Sequence, residues 1–257
     1  MNLREVTVLF QGAFKSYSDE DRVLFSNQVD QIRAFLPEAK ILLSTWSGTY
    51  IPKNLRIDGV IFNKDPGGLS GIKHDDIHKA NNINRQIVTT YNGLRGVDTK
   101  YVVKLRTDCS LDHAGFIDYY LKFNRGKSIV APCFFTIDPR VYEHMPFHVS
   151  DWFQFGETEA LLDYWDVPLM TEDEATWYKH NKYSKKSGYF DKKFATRLAV
   201  EQYMTVNYAK KHGYIVPNYH NDCRQEVLDS HDKFLAEKVI ILDPWQIGLN
   251  FPKYYWA

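Results

Sequence analysis

The chain has 257 residues, 44% of them apolar, with 32 Lys plus Arg against 32 Asp plus Glu and a formal net charge of zero. This length and apolar share suit one large α/β core or two small ones and exclude a disordered chain. The balanced charge gives no field or basic stripe for a phosphate backbone, so nucleic acid is not an expected partner, and without an apolar stretch of leader or spanning length the expected location is the cytosol.

In chain order, Val6-Thr7-Val8-Leu9-Phe10 is a buried strand that ends in a Gln11-Gly12 turn. Phe25, Val29, Ile32, Phe35 and Leu36 recur at helical spacing, and Pro37 closes that helix. Residues 40–46 and 59–63 read as the next two strands, and Asp65-Pro66-Gly67-Gly68 opens a long, mobile polar loop. Ile83, Ile87, Tyr91 and Leu94 stripe a helix with Asn81 as N-cap and Gly96 as stop. Tyr101 to Leu105 is a buried strand that runs directly into Arg106-Thr107-Asp108-Cys109-Ser110.

The second half is less regular. Residues 128–131 form a strand, 146–156 an extended aromatic-rich segment and 157–165 a short helix. Residues 171–193, rich in Lys and Tyr without core periodicity, read as a surface loop or lid. Val200, Tyr203, Met204 and Tyr208 lie on one face of a helix stopped by Gly213, and a polar segment follows over 217–222. The β-α-β alternation predicts an α/β fold with 1–257 as a single domain. Cys109, Cys133 and Cys223 lack paired spacing and read as reduced buried thiols; His144 and His148 are separated by Pro146, so no zinc pair is expected.

Open α/β sheets bind ligands at the carboxyl ends of their strands, where Gln11, Asp65 and the Arg106–Asp108 run stand. Asn84 and Arg85 lie near the amino end of their helix, where backbone donors and the dipole favour a phosphate or sugar hydroxyl. If the ligand there were a diphosphate that departs in a reaction, it would need positive charge, which a divalent metal on Asp108 or the fixed fork of Arg106 would supply. The structural alternative makes these residues turn caps and surface ion pairs.

Gln11-Gly12, residues 42–46, Asn63 to Gly67, Asn82 to Ile87, Lys104 to Asp108, Ser150 to Phe153 and Glu201-Gln202-Tyr203 occur in one order along nearly the whole chain. Together they resemble the WavE lipopolysaccharide-synthesis family of bacterial glycosyltransferases. The resemblance implies a GT-A fold, a Rossmann-type open mixed sheet flanked by helices. Residues 1–125 would then hold a nucleotide-sugar donor and 126–257 a glycan or lipid-linked glycan acceptor, with inverting transfer to an acceptor hydroxyl. It places Arg106-Thr107-Asp108 where that fold carries Asp-x-Asp, so Asp108 matches the carboxylate that contacts Mn or Mg, His220 is a second metal ligand, and Arg106 in place of the first Asp opens the question of metal dependence. Glu201 matches the acceptor base, with Gln202 replacing a common Asp. Asp151 is the competing base and Trp152 a sugar platform. A sugar-phosphate nucleotidyltransferase and a non-catalytic carbohydrate- or nucleotide-binding subunit stay open. The closing aromatic stretch 250–256 suits peripheral contact with the inner membrane.

Overall fold

The computed structural model describes residues 1–14, 19–76, 78–141 and 143–251. Its first unit is β1 (Val6–Gln11), α1 (Asp19–Phe35), β2 (Lys40–Trp46) and β3 (Gly59–Asn63), followed by α2 (Ile83–Arg95) and β4 (Tyr101–Arg106). These strands are parallel, with β1 between β2 and β4 and β3 beyond β2. Parallel strands covered on both faces need apolar residues at consecutive positions, and every residue of β1 is buried. Alternation sends Val6, Val8 and Phe10 to the face covered by Phe25, Val29 and Ile32 of α1, and Leu9 to the opposite face with Ile83, Ile87 and Leu94 of α2. Each such fully buried aliphatic side chain stabilises the fold by about 1.5–3 kcal/mol. Gly93 brings α2 onto the sheet: a Cβ there would lie 2.9 Å from both Leu9 and Ser44.

The second half completes the sheet. After β5 (Ser110–Leu111) and α3 (Phe116–Phe123) come β6 (Ile129–Pro132), β7 (Phe153–Glu157), α4 (Thr158–Trp165), α5 (Glu172–Ala175), α6 (Val200–Lys211), α7 (Gln225–Lys238), β8 (Val239–Leu242), α8 (Pro244–Ile247) and β9 (Leu249–Asn250). The seven-stranded order is β3-β2-β1-β4-β7-β6-β8, and β7 runs antiparallel to both β4 and β6. The predicted α/β class and open mixed sheet are thus present, built by strands from both halves.

Several local expectations change. The polar loop after Asp65 is pinned by bridges from Leu69 to Asn81 and from Lys73 to Phe194, which argues against the predicted mobility. Asn81 caps α2 from one residue further out, its Oδ1 accepting from the Ile83 backbone N–H at 3.1 Å. The 171–193 segment is not a coreless loop: Ala175 and Tyr178 are buried, and Tyr183 stacks on Tyr178 at 3.9 Å. The sequence reading named no element for α7, where His231 is buried between Val227 and Phe234 and its Nδ1 accepts from the Phe147 N–H at 3.0 Å. All three cysteines are free, but only Cys109 is fully buried. Of the aromatic tail, Phe251 packs on Trp152 at 4.6 Å, and residues 252–257 lie outside the described residues. No described helix is long and apolar enough to cross a membrane.

Candidate functional site

The carboxyl ends of β1, β2 and β4 open onto a cleft of about 550 Å³ lined by Gln11, Trp46, Asp65, Asn82, Arg85, Thr89 and Arg106 to Asp108, among others. Period-two alternation puts Gln11 on the α2 face, where its Oε1 accepts from the Thr89 hydroxyl at 2.9 Å. Gly12 leaves the strand at φ +121°, a conformation that L side chains avoid, and a Cβ would meet Thr107 Oγ1 at 3.3 Å. That hydroxyl donates to the Ala13 carbonyl at 2.9 Å, joining the turn after β1 to the turn after β4.

Two arginine–carboxylate forks line the cleft. Arg85 Nε and a terminal nitrogen donate to the two oxygens of Asp65, both at 2.8 Å, and its other terminal nitrogen reaches Asn82 Oδ1 at 2.8 Å. Arg106 grips Asp108 in the same manner at 2.8 and 2.7 Å. Burial opposes the Asp108 charge, but the Arg106 fork outweighs it and holds the carboxyl below its ordinary range; at Asp65 the Arg85 hydrogen bonds do the same. The ordinary structural role of these residues, as ion pairs, is therefore real. The same two guanidiniums are also cations placed around one cleft, ready to exchange a carboxylate for a more highly charged anion.

A metal centre on protein ligands does not fit this donor set. Both carboxylates on the cleft are engaged by arginine, Asp112, the next carboxylate along the chain after Asp108, is bonded by Gln31 Nε2 at 2.6 Å, and no group of three His, Cys, Asp or Glu among the described residues is arranged to hold an ion. His220, the predicted second ligand, is not on the cleft. It is fully buried under the 177–194 segment, stacked on Phe194 at 4.8 Å, with Nδ1 at 3.3 Å from the Tyr178 hydroxyl. Burial lowers its pKa to about 4, so the ring is neutral.

Behind Arg106 a chain of contacts leads to the predicted base. The guanidinium lies 4.8 Å over Trp152, whose neighbours among the described residues include Phe135, stacked at 5.5 Å, and Phe134 and Phe251 edge-on. Trp152 is 5% exposed and flanked on all these sides, so it is a pedestal for Arg106 and not the predicted sugar platform. Phe135 adopts φ +62° and its carbonyl accepts from His148 Nδ1 at 2.8 Å. A carbonyl only accepts, so Nδ1 carries the proton and Nε2 faces Glu201 Oε2 at 3.5 Å. Burial raises the Glu201 carboxyl above its ordinary value, His148 opposes that rise and the Asp151 charge adds to it. The Glu201 side chain keeps 20% of its surface exposed.

Asp151 is the other predicted base, and its surroundings argue against that role. It is wholly buried, 3.8 Å from the equally buried Lys104 ammonium, which also donates to the Asp151 backbone carbonyl. Burial lowers the Lys104 pKa to about 8 even with this partner. Alternation along β4 places Lys104 on the α2 face, 4.9 Å over Trp165. Removing one member of such a pair strands a buried charge: Asp151→Ala is expected to cost about 3–5 kcal/mol, and adding Lys104→Met to recover most of it. Denaturant titration of the two variants checks this, and equal losses would refute the pairing.

The predicted donor residue Asn84 is structural, and so is Gln202, to which the sequence reading gave no site role. Asn84 points away from the cleft and clips the 170 region, donating to the Met170 carbonyl at 2.9 Å and accepting from its N–H at 2.8 Å; Asn82, not predicted, lines the cleft instead. Gln202 fastens the start of α6, donating to the carbonyls of Pro146 and His220 at 2.8 and 2.9 Å.

With this geometry in place, the model of one family, WavE lipopolysaccharide synthesis, matches residues 6–257. The chain belongs to the WavE lipopolysaccharide synthesis family. A search of curated proteins finds no match. Among solved structures, the WavE chain overlaps galactosyltransferase LgtC in complex with donor and acceptor sugar analogues, at 14% identity over 93% of this chain and 73% of that one, with a TM-score of 0.41. It overlaps glycosyltransferase GlyE of Streptococcus pneumoniae TIGR4 at 13% identity and TM-score 0.34, covering 61% of this chain and 35% of that one. It overlaps HddC of Yersinia pseudotuberculosis, complexed with GMP-PN, at 11% identity and TM-score 0.35, covering 62% and 78%. Overlaps of this quality assign neither ligand nor reaction.

Sequence reasoning about this WavE protein passed over Lys104 and His148. A lysine inside an otherwise apolar strand was a visible signal, since a buried charge must find a partner. His148 was weighed only against His144, and its pairing with Glu201, distant in sequence, needed the tertiary contact.

Proposed function

We propose that the cleft binds a nucleotide-sugar donor and that the protein transfers its sugar to a hydroxyl of a lipopolysaccharide or related surface-glycan precursor, with a hexose as the first donor class to test. The observation that carries this reading is the pair of arginine forks around one strand-end cleft, with a partly exposed acid reached from Arg106 through Trp152, Phe135 and His148. In this reading Glu201 takes the proton of the acceptor hydroxyl, and the oxygen attacks the anomeric carbon. The bond to the diphosphate breaks, and the nucleotide diphosphate leaves with the electron pair. Arg106 and Arg85 receive the charge that grows on its oxygens. Direct displacement by this route inverts the anomeric centre, so an α-linked donor gives a β-linked product.

The test is release of nucleotide diphosphate from a panel of sugar nucleotides, with and without glycan acceptors. Pyrophosphate release would favour the nucleotidyltransferase reading instead, and saturable nucleotide binding without turnover the binding subunit. Because the carboxylates on the cleft are committed to arginine, activity is expected to survive EDTA within about twofold. A loss of activity that manganese or magnesium restores would overturn the arginine-based account of leaving-group stabilisation.

A further inference from the structure

The segment 179–193 carries six lysines and a single carboxylate, Asp191. Lys179, Lys182, Lys185, Lys186 and Lys192 are exposed, and none of them forms a salt bridge among the described residues. Asp191 is turned inward: one oxygen accepts from the Gly188 N–H at 2.7 Å, the other lies 3.9 Å from His220 Nε2, and its side chain is 14% exposed. At the tip, Tyr189 and Phe190 are 74% and 77% exposed, among the most exposed large apolar side chains described. Lys193 lies 4.9 and 5.6 Å over their two rings.

The tip stands on a built base. Tyr183 stacks on Tyr178, donates to the Phe194 carbonyl at 2.6 Å and pairs with His74 at 2.7 Å; Ala195 N–H donates to Ile72 at 2.8 Å. The segment is thus joined to the loop that continues from Asp65, beside the cleft. Its one acid is folded under, which leaves cations and two aromatic rings on the outer surface. Lysines alone describe any solvated face. Two bare rings among them, held out by a stacked and hydrogen-bonded base, match the composition of a surface that sits at a bilayer interface: rings at headgroup depth, ammoniums on anionic headgroups.

We propose that this face docks the protein on an anionic membrane surface. The contact does not depend on the transfer reaction and is read without it. The experiment is co-sedimentation with vesicles of phosphatidylethanolamine and phosphatidylglycerol, against pure phosphatidylcholine vesicles, at low and high salt. Binding is expected to anionic vesicles only, and to fall steeply at about 0.5 M salt as headgroup attraction is screened. Tyr189→Ser with Phe190→Ser, and separately Lys185→Glu with Lys186→Glu, are each expected to weaken partitioning roughly tenfold or more at an unchanged melting temperature. Wild-type partitioning in both double variants, or no preference for anionic vesicles, overturns the proposal. So does a charge-reversal loss with no loss from the ring variant, which would mark a soluble anionic glycan as the ligand.

Discussion

Arg106→Ala is expected to lower kcat/KM for the nucleotide-sugar donor by about 10²–10³, the range found when one preorganised donor to a developing anion is removed. Arg106→Lys should recover little, because a single ammonium does not reproduce a two-donor fork placed 4.8 Å over the Trp152 ring. Asp108→Asn is the informative companion. If Asp108 serves to hold the arginine, as the contacts at 2.7 and 2.8 Å describe, its amide costs less than the loss of Arg106. If Asp108 binds a catalytic metal, the order reverses: Asp108→Asn abolishes activity and Arg106→Ala is the milder change. Donor titrations on both variants under one set of conditions separate the two roles.

Glu201→Gln is expected to reduce kcat by about 10²–10⁴ with little change in donor affinity, as for loss of a general base. The pH profile carries the sharper test. A base works deprotonated, so kcat/KM falls as pH drops through the pKa of Glu201, and because burial raises that pKa the fall comes at higher pH than for an ordinary glutamate. His148 opposes the rise and Asp151 adds to it. His148→Gln should therefore move the acid limb to higher pH, and Asp151→Asn should move it to lower pH. Shifts of one sign in both variants, or none in either, would remove Glu201 from the base role. A merely structural role for His148 would reduce the amount of folded enzyme without moving the limb.

The split between chain and fold follows from the range of each interaction. Periodicity is local, so the strands over 6–10, 40–46, 59–63 and 101–105 and the helices striped over 83–94 and 200–208 were legible from spacing alone, to within a few residues of their ends. So were Gln11, Asp65, Arg85, Arg106 and Asp108, which the fold brings onto one cleft because consecutive parallel strands must place their carboxyl ends together. What faced what was not legible. Asn84 and Arg85 are neighbours on one helix, yet one is buried on Met170 and the other grips Asp65. Asp151 and Trp152 stand side by side, and only packing shows that the first is enclosed with Lys104 and the second carries Arg106.

The sequence by itself determined the α/β alternation and the strand-end position of Asp108, since each is a matter of residue type and local spacing; that Arg106 stands where a carboxylate is expected is what the family resemblance implies. The tertiary structure alone decided that Arg106 and Asp108 neutralise one another, that His220 lies in a separate aromatic pocket, and that His148 stands against Glu201. Those contacts join residues two, twenty-six and fifty-three positions apart, and burial and charge at such contacts depend on what the folded chain places within a few ångströms.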